Sequence, residues 1–265
     1  MRTQIPLRVH WVRHGKIASH QGDVPLTEEG REQAEAVGRQ LGKEVSHDKS
    51  GTHDKSGTHD KSGTHDKSGS YDEDIFFLYA PTRRTRETAV AIRRGMEAEL
   101  GDADVQWGQR WHLFAPAEHW AVRNPDLYVG GNRVEMVSSA QAMAEQTASY
   151  GIDAERLLKI PFLRGFWEAS DRIGYWVNHP DPPGEDADAV ARRVLTFATS
   201  LLELPGMQPR RYICVTHSPV MRAFIRRYLT GQDPGEPGYG ESVDMLFAES
   251  GLLTLRFRDV SVTRP

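Results

Sequence analysis

Cysteine is almost absent from this 265-residue chain, which has only Cys214. An intramolecular disulfide is therefore excluded, and such sparse usage agrees with a reducing compartment. Cys214 lies in the apolar run RYICVTH and reads as a buried, inert thiol. Long apolar runs are also missing, since none approaches the roughly 18 residues that span a bilayer. The opening MRTQIPLRVHWV is too short and too polar for the core of a secretion signal. Nor is there a basic excess: 33 Lys and Arg against 37 Asp and Glu give a formal net charge of −4. That balance gives no support to a nucleic-acid or membrane partner. The expectation is a soluble, cytoplasmic protein with no nucleic acid and no membrane to bind.

One stretch has nothing to bury. From His47 to about Ser70 the chain repeats HDKSGT, with one Asp and one Lys in each unit and no apolar residue. Such composition does not support a packed element, and the segment at about 45–72 reads as a disordered insert. Its evenly spaced His47, His53, His59 and His65 are also a metal-binding pattern, but sequence duplication alone produces the same spacing.

Around the insert, strands alternate with helices. RVHWV reads as a strand, and LTEEGREQAEAVGRQLGKEV as an amphipathic helix capped by Thr27. DIFFLYA is a second strand, TRRTRETAVAIRRGMEAEL a helix ending at Gly101, and VQWGQRWHLF a further strand. DADAVARRVLTFATSLLEL is helical, RYICVTH is the clearest strand, PVMRAFIRRYLTG is a helix, and SGLLTLRFRD is the last strand. The alternation predicts a single domain, a three-layer α/β/α sandwich around a mostly parallel sheet. The aromatic, turn-rich stretch at about 112–182 is predicted to be a cap-like insertion.

Two strand ends look alike. HWVRHG finishes in Arg13-His14-Gly15, and ICVTHS in Thr216-His217-Ser218. Parallel strands point their ends the same way, and open α/β sheets hold ligands there. The end of a third strand, in FFLYAPTRRTRETA, delivers Arg83 and Arg84 nearby. Converging His and Arg call for an anion, and a phosphoryl group suits the planar donor fork of Arg. A neutral His can attack phosphorus and hold the phosphoryl group covalently. Arg83 reads as a solvated helix residue beside the more telling Arg84, and Lys16 as an exposed lysine.

RHG after the first strand, then DVPLTEEGREQA, APTRRTRETA, PPGED and VTHSPVMRA, resembles in content and order the histidine phosphatase superfamily, the phosphoglycerate mutase-like clan. The resemblance covers both ends of the chain and leaves the repeat and the middle unmatched. It implies a phosphoglycerate mutase-like fold and a phosphatase needing neither metal nor cofactor. It also implies His14 as the residue that is phosphorylated, Arg13 and Arg84 as phosphate ligands, and His217 as the second histidine, stabilising transition-state charge. The implied partner is a phosphorylated small molecule, or a phosphoprotein.

The family's proton donor, often a Glu in L-x-E, has no counterpart at that spacing in QRWHLFAPAEHW. Glu118 is the first candidate, followed by Glu168 in RGFWEASD and Asp126 in RNPDLY. The missing acid leaves room for an alternative, a phosphate-binding module without catalysis. A phosphoglycerate mutase is disfavoured, because Ile17 and His20 stand where mutases resemble R-H-G-x-S-x-x-N. Trp120, Tyr128, Phe166, Trp167 and Trp176 either stack on a leaving group or form a small core within the cap.

Overall fold

The computed structural model describes residues 6–19, 22–50, 73–107, 111–204 and 208–265. Apolar runs with alternating or continuous burial form β1 (Leu7–Arg13), β2 (Glu73–Tyr79), β3 (Trp111–Leu113) and β4 (Ala117–Glu118). The helices α1 (Glu28–Ser50) and α2 (Arg83–Trp107) precede and follow β2. The Thr27 hydroxyl accepts from the Gly30 amide at 3.0 Å, as an N-cap should. Helix α1 runs on into the first repeat unit, and the rest of the repeat, 51–72, lies outside the described residues.

The middle of the chain forms a hairpin of β5 (Leu127–Val129) and β6 (Asn132–Val134), followed by four short helices. These are α3 (Ala140–Thr147), α4 (Ala154–Leu158), α5 (Pro161–Glu168) and α6 (Arg172–Asn178). Then come α7 (Ala187–Ser200), β7 (Arg210–Thr216), α8 (Ser218–Ile225) and the strands β8 (Ser242–Phe247), β9 (Leu253–Phe257) and β10 (Val260–Arg264).

The main sheet has the order β10-β9-β8-β1-β7-β2-β3, with β4 also beside β2. Pairing is parallel from β1 through β7 to β2 and its neighbours, and antiparallel from β1 through β8 to β10. Helices cover both faces, which makes the three layers. On one face Val12, Ile75, Phe77, Ile213 and Val215 pack on α1 and α2. These two helices cross closely because Gly38 and Gly95 face backbone, where a Cβ would lie 2.0 Å from the Ile92 carbonyl oxygen and 2.1 Å from that of Glu35. On the other face Val9, Trp11, Tyr212 and Cys214 pack with α7, α8 and the middle helices. Burial pushes the Cys214 thiol pKa up, so the sulfur is inert as expected.

Three sequence expectations change. Helix α2 continues past Gly101 to Trp107, which takes in the start of the strand expected in VQWGQRWHLF. A single interior glycine costs a helix only about 1 kcal/mol, and Gly101 does not take the left-handed conformation that would stop one. SGLLTLRFRD is not the last strand either: β9 sits between β8 and β10 in an antiparallel edge.

A charged row crosses the sheet on its α1–α2 face. Arg211 donates to Glu73 at 3.0 Å and to His10 Nε2 at 3.0 Å, and His10 Nδ1 bonds Asp244 at 2.8 Å. Since Arg only donates, Nε2 of His10 must accept and Nδ1 must carry the proton.

Candidate active site

The register of the two central strands sets the site. Arg13 of β1 stands opposite Thr216 of β7, so the residues that follow, His14 and His217, emerge side by side. Their ring centroids are 5.3 Å apart, and both side chains are buried. The His14 amide donates to the Thr216 carbonyl at 3.0 Å, which ties one strand end to the other.

His14 Nδ1 lies 2.8 Å from the carbonyl oxygen of Gly15. A carbonyl only accepts, so Nδ1 holds the proton and the ring's lone pair resides on Nε2. The loop that orients this imidazole is clamped from both sides. The Gly15 amide donates to Thr88 of α2 at 3.0 Å, and the Thr27 amide donates to the Lys16 carbonyl at 2.9 Å. The start of α1 approaches so closely that a Cβ on Gly30 would lie 2.2 Å from the Lys16 carbonyl oxygen. Gly30→Ala must therefore push loop and helix apart. The expected cost is about 1–3 kcal/mol, or about 2–4 °C of Tm for each kcal/mol. An unchanged melting curve would show that the loop yields freely.

His217 caps α8 and faces Thr82, whose hydroxyl lies 3.4 Å from Nε2. Its Nδ1 is buried without a hydrogen-bond partner among the described residues. Burial lowers its pKa well below the ordinary histidine value, and the nearby charges of Arg84, of Arg13 and, whenever it is protonated, of His14 lower it further. These effects hold the ring neutral, and a bound dianion would reverse the charge contribution and favour its protonation.

Arg84 projects from the first turn of α2 into the same cavity, whose volume is about 980 Å³. Its guanidinium makes no hydrogen bond or ion pair among the described residues, while its backbone carbonyl accepts from the Thr88 hydroxyl at 2.7 Å. Burial lowers its pKa, and the more distant charges of Asp23 and Glu135 partly restore it. Arg83 instead points outward and pairs with Glu87 at 2.7 Å, and Lys16 pairs with Glu29 at 2.5 Å on the surface.

Arg13 is at the site but not in the cavity wall. Its Nη2 lies 2.6 Å from Glu236 Oε1, its Nη1 donates to the Pro237 carbonyl, and its guanidinium lies 4.2 Å from the centroid of the Tyr239 ring. Glu236, which no sequence motif marks, lines the cavity in its place.

The three acids chosen from sequence stand elsewhere. Glu118 is exposed on β4, and Glu168 is exposed at the end of α5; neither is in the cavity wall. Asp126 is held by Arg123 at 2.6 Å and by Arg133. Burial raises its carboxyl pKa, but those hydrogen bonds outweigh that effect and leave it lowered. The half-buried carboxyl of Glu135 does line the cavity and has no ion pair among the described residues. Asp171, also in the wall, is held ionised by the buried Arg222 at 2.6 Å.

The aromatic residues divide the same way. Trp176 is fully buried, with its indole donating to the Glu185 carbonyl at 3.1 Å, and Trp167 bonds the Val137 carbonyl at 3.1 Å. Trp120 and Tyr128 are exposed, and only Phe166 of the five reaches the cavity. Sequence reasoning passed over Thr88, although it occupies the Thr position of RTRETA, and over Thr82 and Arg222. Among the described residues no helix is long and apolar enough to cross a membrane.

Residues 8–50 match the family model of the histidine phosphatase superfamily (branch 1). No curated protein matches the chain. Among solved structures it is similar to a mycobacterial glucosyl-3-phosphoglycerate phosphatase, at 16% identity over 96% of this chain and 97% of that one, with a TM-score of 0.48. It is also similar to a phosphoglycerate mutase from Bacillus anthracis, at 14% identity over 96% and 93% of the two chains, with a TM-score of 0.48.

Proposed function

We propose that this chain, whose residues 8–50 match the family model of the histidine phosphatase superfamily, hydrolyses a phosphomonoester through a phosphohistidine on His14. The observation that carries this is the His14 ring itself. With Nδ1 committed to the Gly15 carbonyl at 2.8 Å, Nε2 of the neutral ring holds a lone pair beside a second histidine and an arginine, Arg84, whose guanidinium has no ion pair among the described residues.

In the first step Nε2 of His14 attacks phosphorus, the bond from phosphorus to the ester oxygen breaks, and a proton reaches the departing oxygen. Arg84 and His217 take the charge on the phosphoryl oxygens, the work a metal ion does in other phosphotransfer sites. In the second step water attacks the phosphohistidine, gives its proton to the carboxylate that acted before, and the nitrogen–phosphorus bond breaks. Inorganic phosphate leaves and His14 is neutral again. Glu135 is the proton donor in this scheme, since of the wall carboxyls without an ion pair among the described residues, Asp23, Glu135 and Glu145, it alone is half-buried while the other two are exposed. The substrate is a phosphorylated small molecule met in the cytoplasm, and the segment at about 112–182 serves as the cap that selects it.

The test is release of inorganic phosphate from p-nitrophenyl phosphate in the presence of a chelator. Turnover would establish the hydrolase. No turnover by a folded protein that still binds phosphate would leave a binding module.

A further inference from the structure

The resemblance makes Arg13 a phosphate ligand beside His14, yet in this structure a carboxylate holds it. Glu236 Oε1 is 2.6 Å from Arg13 Nη2. Its other oxygen accepts from the Ser218 hydroxyl at 2.6 Å and from Arg222 Nη1 at 3.4 Å. Glu236 lines the cavity that also contains His14, Arg84 and His217, whereas Arg13 does not. The Glu236 side chain is about half exposed, so it has room to move, while the Arg13 side chain is 7% exposed and cannot leave.

We propose that Glu236 is a built-in competitor for the phosphate seat, a residue that sets the affinity of this site for anionic substrate and product. This rests on the phosphatase reading above. Binding exchanges one ion pair for another: phosphoryl oxygens take the Nη2 donor of Arg13, and the displaced carboxylate stays on Ser218 and closes on Arg222. Arg222 suits that role, because it is buried, already pairs with Asp171 and Asp233, and lies next to Glu236 before any displacement. The exchange lowers affinity for every phosphate-bearing ligand alike. Product inorganic phosphate, which has no leaving group to contact the cap, loses proportionally most of its binding and departs sooner.

The experiment is titration calorimetry of the whole protein with inorganic phosphate, comparing wild type with Glu236→Gln and Glu236→Ala. Removing the competing charge should tighten phosphate binding about tenfold. Glutamine keeps the shape, and alanine guards against a residual neutral hydrogen bond to Arg13; melting curves establish that both are folded. Unchanged or weaker binding in the folded variants would overturn the proposal and make Glu236 a support for Arg13. Turnover of p-nitrophenyl phosphate by wild type is read separately. Hydrolysis without tightening overturns only the role of Glu236, and tightening without hydrolysis overturns only the phosphatase.

Discussion

His14→Ala is expected to remove p-nitrophenyl phosphate hydrolysis almost completely, by on the order of 10⁴–10⁶-fold in kcat. The loss is this large because the substitution removes the attacking atom and not a supporting contact. Alanine in a buried position also opens a cavity, so His14→Gln is the matched variant, polar and closer in size but without a nucleophilic nitrogen. Phosphate binding should survive in both, since Arg84, His217 and the strand ends remain. Rapid quenching of the wild type with substrate should trap label on the protein that survives alkali and is lost in acid, as a nitrogen–phosphorus bond requires. Label on a serine or threonine ester, or activity within tenfold of wild type in folded His14→Gln, would refute the assignment.

The second large effect separates the proton donor from the nucleophile. Glu135→Gln should lower kcat/KM, which reports the transfer to His14 and not the later attack of water, by roughly 10²–10³-fold on an alkyl phosphate, whose alkoxide cannot leave without a proton. On p-nitrophenyl phosphate, whose phenolate leaves unaided, the loss in the first step should stay within about threefold. The ratio of the two losses is the measurement, and global damage to the site would lower both rates together. Equal losses would remove Glu135 from the role. The same pair of substrates applied to Glu118→Gln decides between a carboxyl chosen from sequence and one chosen from geometry.

That contrast reflects what a sequence of this kind exposes. Arg13, His14 and His217 are legible because Arg13 ends an apolar strand and each histidine directly follows one, and a parallel sheet then brings the strand ends together. Thr27 is legible as a cap because capping is a local interaction. The acid is not legible, because its position depends on how the hairpin and short helices of the middle segment fold over the strand ends, and no local pattern encodes that. Strand β8 did carry a signal, the alternation of Val243, Met245 and Phe247 on its buried face. The charged Asp244 between them disguised it, since its partner His10 lies more than two hundred residues away in sequence. Strand β10 is an exposed edge with little to bury, and it exists through its pairing with β9. Glu236 lies in no motif, and its meaning comes from Arg13 and Arg222 on either side.

The row of Asp244, His10, Arg211 and Glu73 has a use beyond its hydrogen bonds. Its members stand on β8, β1, β7 and β2, four adjacent strands, and each is bonded to the next. Charges of this sort, buried at Arg211 and Glu73 and partly exposed at Asp244, contribute little net stability, but a strand that slipped by one residue would turn its member to the opposite face and break the chain. The row therefore works as an alignment key, checked as the sheet assembles. Once β1 and β7 are locked at matching heights, the two histidines one residue beyond them have a fixed separation. The segments that close the cavity can then vary in length or composition while the spacing of the two rings is gauged from inside the sheet.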